Sequence, residues 1–174
     1  RQAFLLTNSA WISIALFGSL PFLFSDINMS ITDAIFESTS GITTTGATVI
    51  DTLDSTSHGI LIWRALLQWL GGVGIIVMAL AILPMLSIGG MQLFKTESYE
   101  TPDKVVPKAA SFAAGISIVY ITLTIAWAFM LWGAGMPIFD SVAHAMTTLA
   151  TGGYPTKSSS LAAFNSSTIE IITL

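Results

Sequence analysis

Cysteine is absent from all 174 residues. Its absence excludes disulfide frameworks, thiolate nucleophiles and cysteine-ligated zinc. Charge is scarce. Asp, Glu, Lys and Arg together make up 9% of the chain, against about 25% in ordinary soluble domains. Ten acidic residues outnumber six basic ones, for a formal net charge of −4. With no basic patch to neutralise phosphates, nucleic acid is not expected as a partner. Histidine is limited to His58 and His144, and neither stands in a group with metal-ligand spacing. No nucleophile–base pair can be assembled without joining distant segments, so an enzyme is not expected. What is plentiful is apolar: 53% of the residues are hydrophobic and the mean hydropathy is +0.77. That composition places the chain in a lipid bilayer.

Residues 5–24 form a first apolar stretch, about long enough to cross once. Pro21, near its end, suits a helix terminus better than an interior. Residues 60–86 form a second span and residues 109–132 a third. A further apolar run, Thr168 to Leu174, begins a fourth. Because the chain starts at Arg1 and stops inside that run, it reads as an internal piece of a longer membrane protein. Gly71-Gly72-Val73-Gly74 in the second span is not a dinucleotide fingerprint. Val77 stands where the third glycine is needed, and no strand precedes. Close helix packing through small residues is expected there, with Gly71 deep in the span and away from any loop. Arg64 and Gln68, four apart, share one helix face. Trp63, Trp69, Trp127 and Trp132 suit interface anchoring or packing.

Between the first two spans lies Thr43-Thr44-Thr45-Gly46-Ala47-Thr48, which cannot be a lipid-facing helix. Residues 31–40 before it read as a short helix, opened by Ser30-Ile31-Thr32-Asp33 in the manner of a capping box. Such a helix is ~15 Å long, half of a ~30 Å hydrocarbon core. A half-length helix followed by Thr-rich irregular backbone fits a re-entrant pore loop. Irregular backbone survives at membrane depth only when buried in protein or lining a water-filled cavity.

The unit occurs twice. An offset of 107 residues lays Asp33 on Asp140, Ile42 on Leu149, Thr44 on Thr151 and Gly46 on Gly153. Residues 139–149 are the second short helix, followed by Ala150-Thr151-Gly152-Gly153-Tyr154-Pro155. Gly152 replaces a threonine of the first loop, so the two are not identical. His144 falls on Glu37 and reads as a packing residue of the short helix rather than a proton relay. Residues 87–111 carry Lys95, Lys104 and Lys108, which place that connection in the cytoplasm, while residues 25–58 hold no Lys or Arg and face outside. Each short helix aims its partially negative C-terminal end at the pore, which favours a cation. The outer acidic residues enrich cations further. A carbonyl ring needs about four walls, and this chain supplies two. Arg64 lies ~7 Å into its span, where an unpaired charge costs ~2.5 kcal/mol or more. It either snorkels outward or forms an ion pair with Glu37 on the neighbouring short helix.

The chain resembles the Trk/Ktr/HKT superfamily of potassium transporters, most closely bacterial Trk-type potassium-uptake subunits. The resemblance is carried by Phe36-Glu37-Ser38-Thr39-Ser40-Gly41-Ile42 running into the first Thr/Gly loop, by Leu67-Gln68-Trp69-Leu70-Gly71-Gly72-Val73-Gly74, by Gly89-Gly90-Met91-Gln92-Leu93-Phe94, and by His144-Ala145-Met146-Thr147-Thr148-Leu149 running into the second loop. It implies an all-α membrane protein of span–pore helix–filter loop–span repeats, with two of an expected four repeats present. Residues 1–86 are then the first repeat, 87–108 a cytoplasmic connection, and 109–174 a second repeat truncated at the start of its last span. The K⁺ filter residues are Thr43, Thr44, Thr45 and Gly46, with Ala150, Thr151, Gly152 and Gly153. The resemblance further implies potassium uptake across the bacterial inner membrane, with K⁺ as the transported ion and no covalently bound cofactor. Partners would be the remaining repeats of the full-length chain, membrane lipid, a second copy in a homodimer, and a cytosolic nucleotide-binding regulatory subunit. Two other functions fit the residues: an alternating-access secondary cation symporter with a closed midplane site, and a membrane scaffold with no permeation path. Ion flux in liposomes separates the scaffold from both conducting forms.

The lysine asymmetry generates a topology prediction. In the full-length protein on intact cells, an impermeant thiol reagent is expected to label Ser55→Cys and to miss Ser98→Cys. The opposite pattern inverts the orientation.

Overall fold

The computed structural model describes residues 2–82 and 105–173. Among these, all regular structure is helical, with no strand. The connection bearing Lys95 and Lys104 lies outside the described residues, as does the Lys108 side chain.

The expected first span is divided. Helix α1 covers Gln2–Gly18 and α2 covers Leu20–Leu23. Pro21 is the cause: it has no N–H for the Phe17 carbonyl, and in a continuous helix its ring would strike that carbonyl. Ser19 closes the break by donating its N–H and its hydroxyl to the Leu16 carbonyl, at 3.3 and 2.7 Å. The Gly18 carbonyl accepts instead from the Trp63 indole at 2.9 Å.

Helix α3 (Ile31–Ile42) starts where its cap predicts and runs two residues beyond the expected 31–40. The Ser30 hydroxyl oxygen accepts from the Asp33 N–H at 3.1 Å. The Asp33 carboxylate bonds the Ser30 hydroxyl at 2.7 Å rather than the Ser30 N–H, so this is a variant of the capping box. Asp33 also complements the positive end of the helix dipole. Helix α4 (His58–Ile82) is 25 residues and α5 (Val105–Gly133) is 29. Each contains a stretch long and apolar enough to cross a membrane, His58–Ile76 and Ala114–Gly133. Phe17, Ile118 and Phe129 are exposed on the outer faces, which suits lipid as the surrounding solvent. Helix α6 (Ile138–Leu149) is the second short helix, and α7 (Ser167–Thr173) begins the next span.

The 107-residue offset recurs in the element ends. Helices α3 and α6 are both 12 residues long and begin at Ile31 and Ile138. Among the described residues, short 3₁₀ turns begin at Leu53 and Ser160. Helix α4 touches both short helices, α3 and α6, as well as α5. Phe22, Ala34, Ile60 and Leu67 form one core cluster, and Leu131, Met136, Ala145 and Ile169 another. Trp69 donates to Thr124 Oγ1 at 2.9 Å, and the Tyr120 hydroxyl to the Trp69 carbonyl at 3.3 Å, which fastens α4 to α5.

Gly71 and Gly72 are packing glycines, but the expectation that Gly71 lies away from the loops is corrected. A Cβ at Gly71 would overlap the Ile42 carbonyl at the end of α3. A Cβ at Gly72 would stand 3.1 Å from Ala150 Cα and 2.7 Å from the Tyr120 hydroxyl. The physical reason is depth. A half-length helix entering from one face ends near the middle of the bilayer, so the middle of a neighbouring span meets the loop that follows it.

Gly71→Ala in the full-length protein is therefore expected to cost about 1–3 kcal/mol, as overpacking does, and to lower Tm. Gly59 has nothing within 4 Å of its Cβ position. Gly59→Ala is expected to leave Tm level or raise it, since Ala gains up to about 1 kcal/mol over Gly within a helix. Equal Tm for the two variants overturns the contact at Ile42.

Candidate ion-selectivity site

The backbone leaving α3 alternates in handedness. Thr43 has φ −83° and ψ 2°, Thr44 has φ 57°, and Gly46 has φ 79°, while Thr45 is outside the positive region. The backbone leaving α6 repeats the pattern: Ala150 at φ −74°, Thr151 at 56°, Gly153 at 70°, with Gly152 outside the positive region. A positive φ is ordinary for Gly46 and Gly153. For a β-branched residue such as Thr44 or Thr151 it is an outlier, costing of the order of 1–3 kcal/mol. The cost recurs at equivalent positions, where the surrounding structure must hold it.

The hydrogen bonds show where the carbonyls go. In a trans peptide the C=O points opposite to the N–H that follows it. The Thr44 N–H bonds the Gly41 carbonyl at 3.0 Å and the Thr45 N–H bonds the Ser40 carbonyl at 2.9 Å. Both point back at α3, so the carbonyls of Thr43 and Thr44 point away from it. In the second loop the Thr151 N–H bonds Thr148 at 2.9 Å, and the Gly152 and Gly153 N–H groups bond Thr147 at 2.9 and 3.3 Å. The carbonyls of Ala150, Thr151 and Gly152 accordingly turn away from α6. The Gly152 carbonyl reaches the first loop and fills the place a Cβ on Gly46 would take. Turned-out carbonyls are neutral oxygen ligands of the kind that replace an ion's hydration shell. Among the described residues no His, Asp or Glu group is placed to hold a metal ion.

Hydroxyls and one ion pair brace the loops. Ser40 Oγ donates to the Ala47 carbonyl at 2.6 Å, closing the first loop on its own helix. Thr43 Oγ1 donates to the Thr39 carbonyl at 2.7 Å and lies 2.8 Å from Thr45 Oγ1. Arg64 of α4 and Glu37 of α3 are fully buried, with Nε 2.7 Å from Oε1. Glu37 also accepts from Thr48 Oγ1 at 2.9 Å and from the Val49 N–H at 3.0 Å. Arg64 reaches the other loop as well. Its Nη1 donates to the Pro155 carbonyl at 3.1 Å, and its guanidinium lies 4.0 Å from the Tyr154 ring centroid. The Tyr154 hydroxyl is 3.0 Å from the Glu37 carbonyl and 3.1 Å from that of Ala47. Arg64 does not snorkel to the surface: it is 1% exposed.

In the second repeat His144 holds the place of Glu37. Its Nε2 is 3.3 Å from Thr156 Oγ1, which donates to Asp140 Oδ1 at 2.6 Å. Its ring meets Phe164 edge-on at 5.7 Å. Outside the membrane-spanning helices, Asp54 lies 4.0 Å from Lys157. Hydrogen bonds from the Ser158 side chain and backbone hold its carboxyl below the usual carboxylate value. Sequence reasoning missed the bridging role of Tyr154 and the Asp140–Thr156 partnership. Two local signals were present: an aromatic directly after the loop glycine, and an acid in the first turn of a buried short helix.

These features define an all-helical membrane protein built on repeated half-length helices. A family model described as "TrkH: Cation transport protein" matches residues 1–174, and the chain belongs to that family. It is 47% identical over 175 residues to the Trk system potassium uptake protein TrkH of Salmonella typhimurium, covering 99% of this chain and 36% of that protein. It is 45% identical to the Trk system potassium uptake protein TrkI of Halomonas elongata, covering 94% and 33%. It superposes on the crystal structure of the potassium transporter TrkH from Vibrio parahaemolyticus with a TM-score of 0.85 and 45% identity, covering 98% of this chain and 34% of that one. The chain thus spans about a third of the length of these relatives.

The Arg64–Glu37 contact generates the prediction of this site. Removing one partner leaves the other charge buried, at about 3–5 kcal/mol. Arg64→Gln and Glu37→Gln, each in the full-length protein, are expected to lower Tm and yield. The double variant is expected to lose less than the sum of the two. Simple additivity means the residues act independently.

Proposed function

We propose that this chain supplies two of the four walls of a potassium pore in a longer protein, which takes up K⁺ across the bacterial plasma membrane. The observation that carries the proposal is the pair of Thr/Gly loops with matching backbone handedness and carbonyls turned off their helices. Thr43, Thr44, Thr45 and Gly46 with Ala150, Thr151, Gly152 and Gly153 form this half of the filter. The carbonyls just before Gly46 and Gly153 contact the ion in place of water. Helices α3 and α6 direct their partially negative C-terminal ends at it. Arg64 and Glu37 act as structural bracing. Residues 1–86 and 109–174 are the two repeats, joined by a cytoplasmic connection at 87–108, and the remaining walls come from further repeats of the full-length chain. The naming of the relatives as parts of a Trk system supports a partner subunit, here a cytosolic nucleotide-binding regulator, with the membrane protein itself a homodimer.

The test is the ratio of K⁺ to Na⁺ uptake, corrected for protein in the membrane. Gly46→Ser and Gly153→Ser each place a side chain at a positive φ and are expected to let Na⁺ compete better. The larger loss is expected at Gly46, where the new Cβ also meets the Gly152 carbonyl. Unchanged ratios for both variants at normal expression remove the loops from the filter.

A further inference from the structure

Gly152 stands where the first repeat has Thr45. Its φ is outside the left-handed region, so backbone freedom does not explain the glycine. Space does. A Cβ on Gly152 would stand 2.5 and 2.6 Å from the Oε1 and Nε2 atoms of Gln68, a side chain of α4 that is fully buried. The Gln68 amide has a defined orientation: Oε1 accepts from the Tyr154 N–H at 3.1 Å. A backbone N–H can only donate, so the oxygen faces Tyr154 and the amide nitrogen faces the other way. That nitrogen lies 3.6 Å from the Cβ position of Gly46, on the first loop. It has no protein partner among the described residues. One neutral side chain therefore rests against Gly152, bonds Tyr154 and borders Gly46. Behind it the Gly152 carbonyl fills the side-chain space of Gly46.

We infer that Gln68 is a positioning residue for ion selectivity, the spacer that fixes how far apart the two filter loops stand. The inference rests on the filter assignment above. Arg64 anchors the same helix face one turn earlier through charge; Gln68 acts by volume and by one hydrogen bond, at the level of the loops themselves. A carbonyl cage distinguishes ions through the number and spacing of its oxygens. A change in that gap therefore changes the ion ratio, whereas a filler residue would change only the amount of folded protein.

The experiment uses the full-length protein in liposomes and reads K⁺ against Na⁺ flux per protein. Gly152→Ala is expected to lower the ratio about tenfold, within the range of coupling between contacting residues. Adding Gln68→Ala to it, which vacates the space the methyl needs, is expected to recover much of that loss. Gln68→Leu keeps the bulk but gives Tyr154 no acceptor, and is expected to lower the ratio at normal yield. If Gly152→Ala does not accumulate, Gln68→Leu alone decides. A double variant no more selective than Gly152→Ala, or a wild-type ratio in Gln68→Leu, overturns the spacer role. Gly46→Ser measured alongside separates the two levels. If it shifts the ratio while the Gln68 variants fail, only the spacer is lost. If it and Gly153→Ser both leave the ratio unchanged, the filter assignment falls and the spacer with it.

Discussion

A charge placed inside a membrane protein must find its opposite, and Arg64 finds Glu37 at 2.7 Å. Desolvating both groups is expensive, and the expense is offset only if geometry is good and the remaining polar atoms are satisfied. Glu37 meets that condition with Thr48 and Val49; Arg64 meets it in part, with Pro155 and the face of Tyr154, while its Nη2 has no hydrogen-bond partner among the described residues. Each of these partners lies on a segment that follows a half-length helix. The ion pair thus ties two loops to one span, and neither loop can drift without uncovering a buried charge. The strained Thr44 and Thr151 backbones persist beside this anchor because their surroundings leave them no alternative.

The two repeats meet the same mechanical need with different chemistry. The first uses a full ion pair, and the second a His144–Thr156–Asp140 chain. The difference follows from position. Helix α4 contacts both short helices, and its one arginine pairs with the acid of the first. Its small residues, Gly71 and Gly72, then let it approach the ends of both helices. A single helix face carrying Arg64, Gln68, Gly71 and Gly72 meets both loops and the ends of both short helices.

Much of this was legible in the chain. Apolar length marked the spans, Ser30 and Asp33 marked the start of α3, and the 107-residue offset paired the two loops. These signals are local or periodic, so they survive without coordinates. What escaped was decided by neighbours far away in sequence. Tyr154 serves the first loop from 117 residues beyond Glu37. The Gly152 side-chain space is taken by a residue on another helix. The break at Ser19 was half visible, since Pro21 announced a terminus but not which carbonyl would be freed or that Trp63 would claim it. The pairing of Arg64 was one of two open choices, because spacing along a helix does not say what lies across from it.

The offset itself carries a further consequence. It holds for the start and end of the short helix, for the threonine at positive φ, for the loop glycine and for the 3₁₀ turn beyond. Between the copies glutamate has become histidine and threonine has become glycine, yet no net insertion or deletion separates them over this stretch. Two halves of this kind read as descendants of one duplicated gene segment. Within that segment side chains have been free to diverge, but one added codon would carry the carbonyls of one loop out of register with the other.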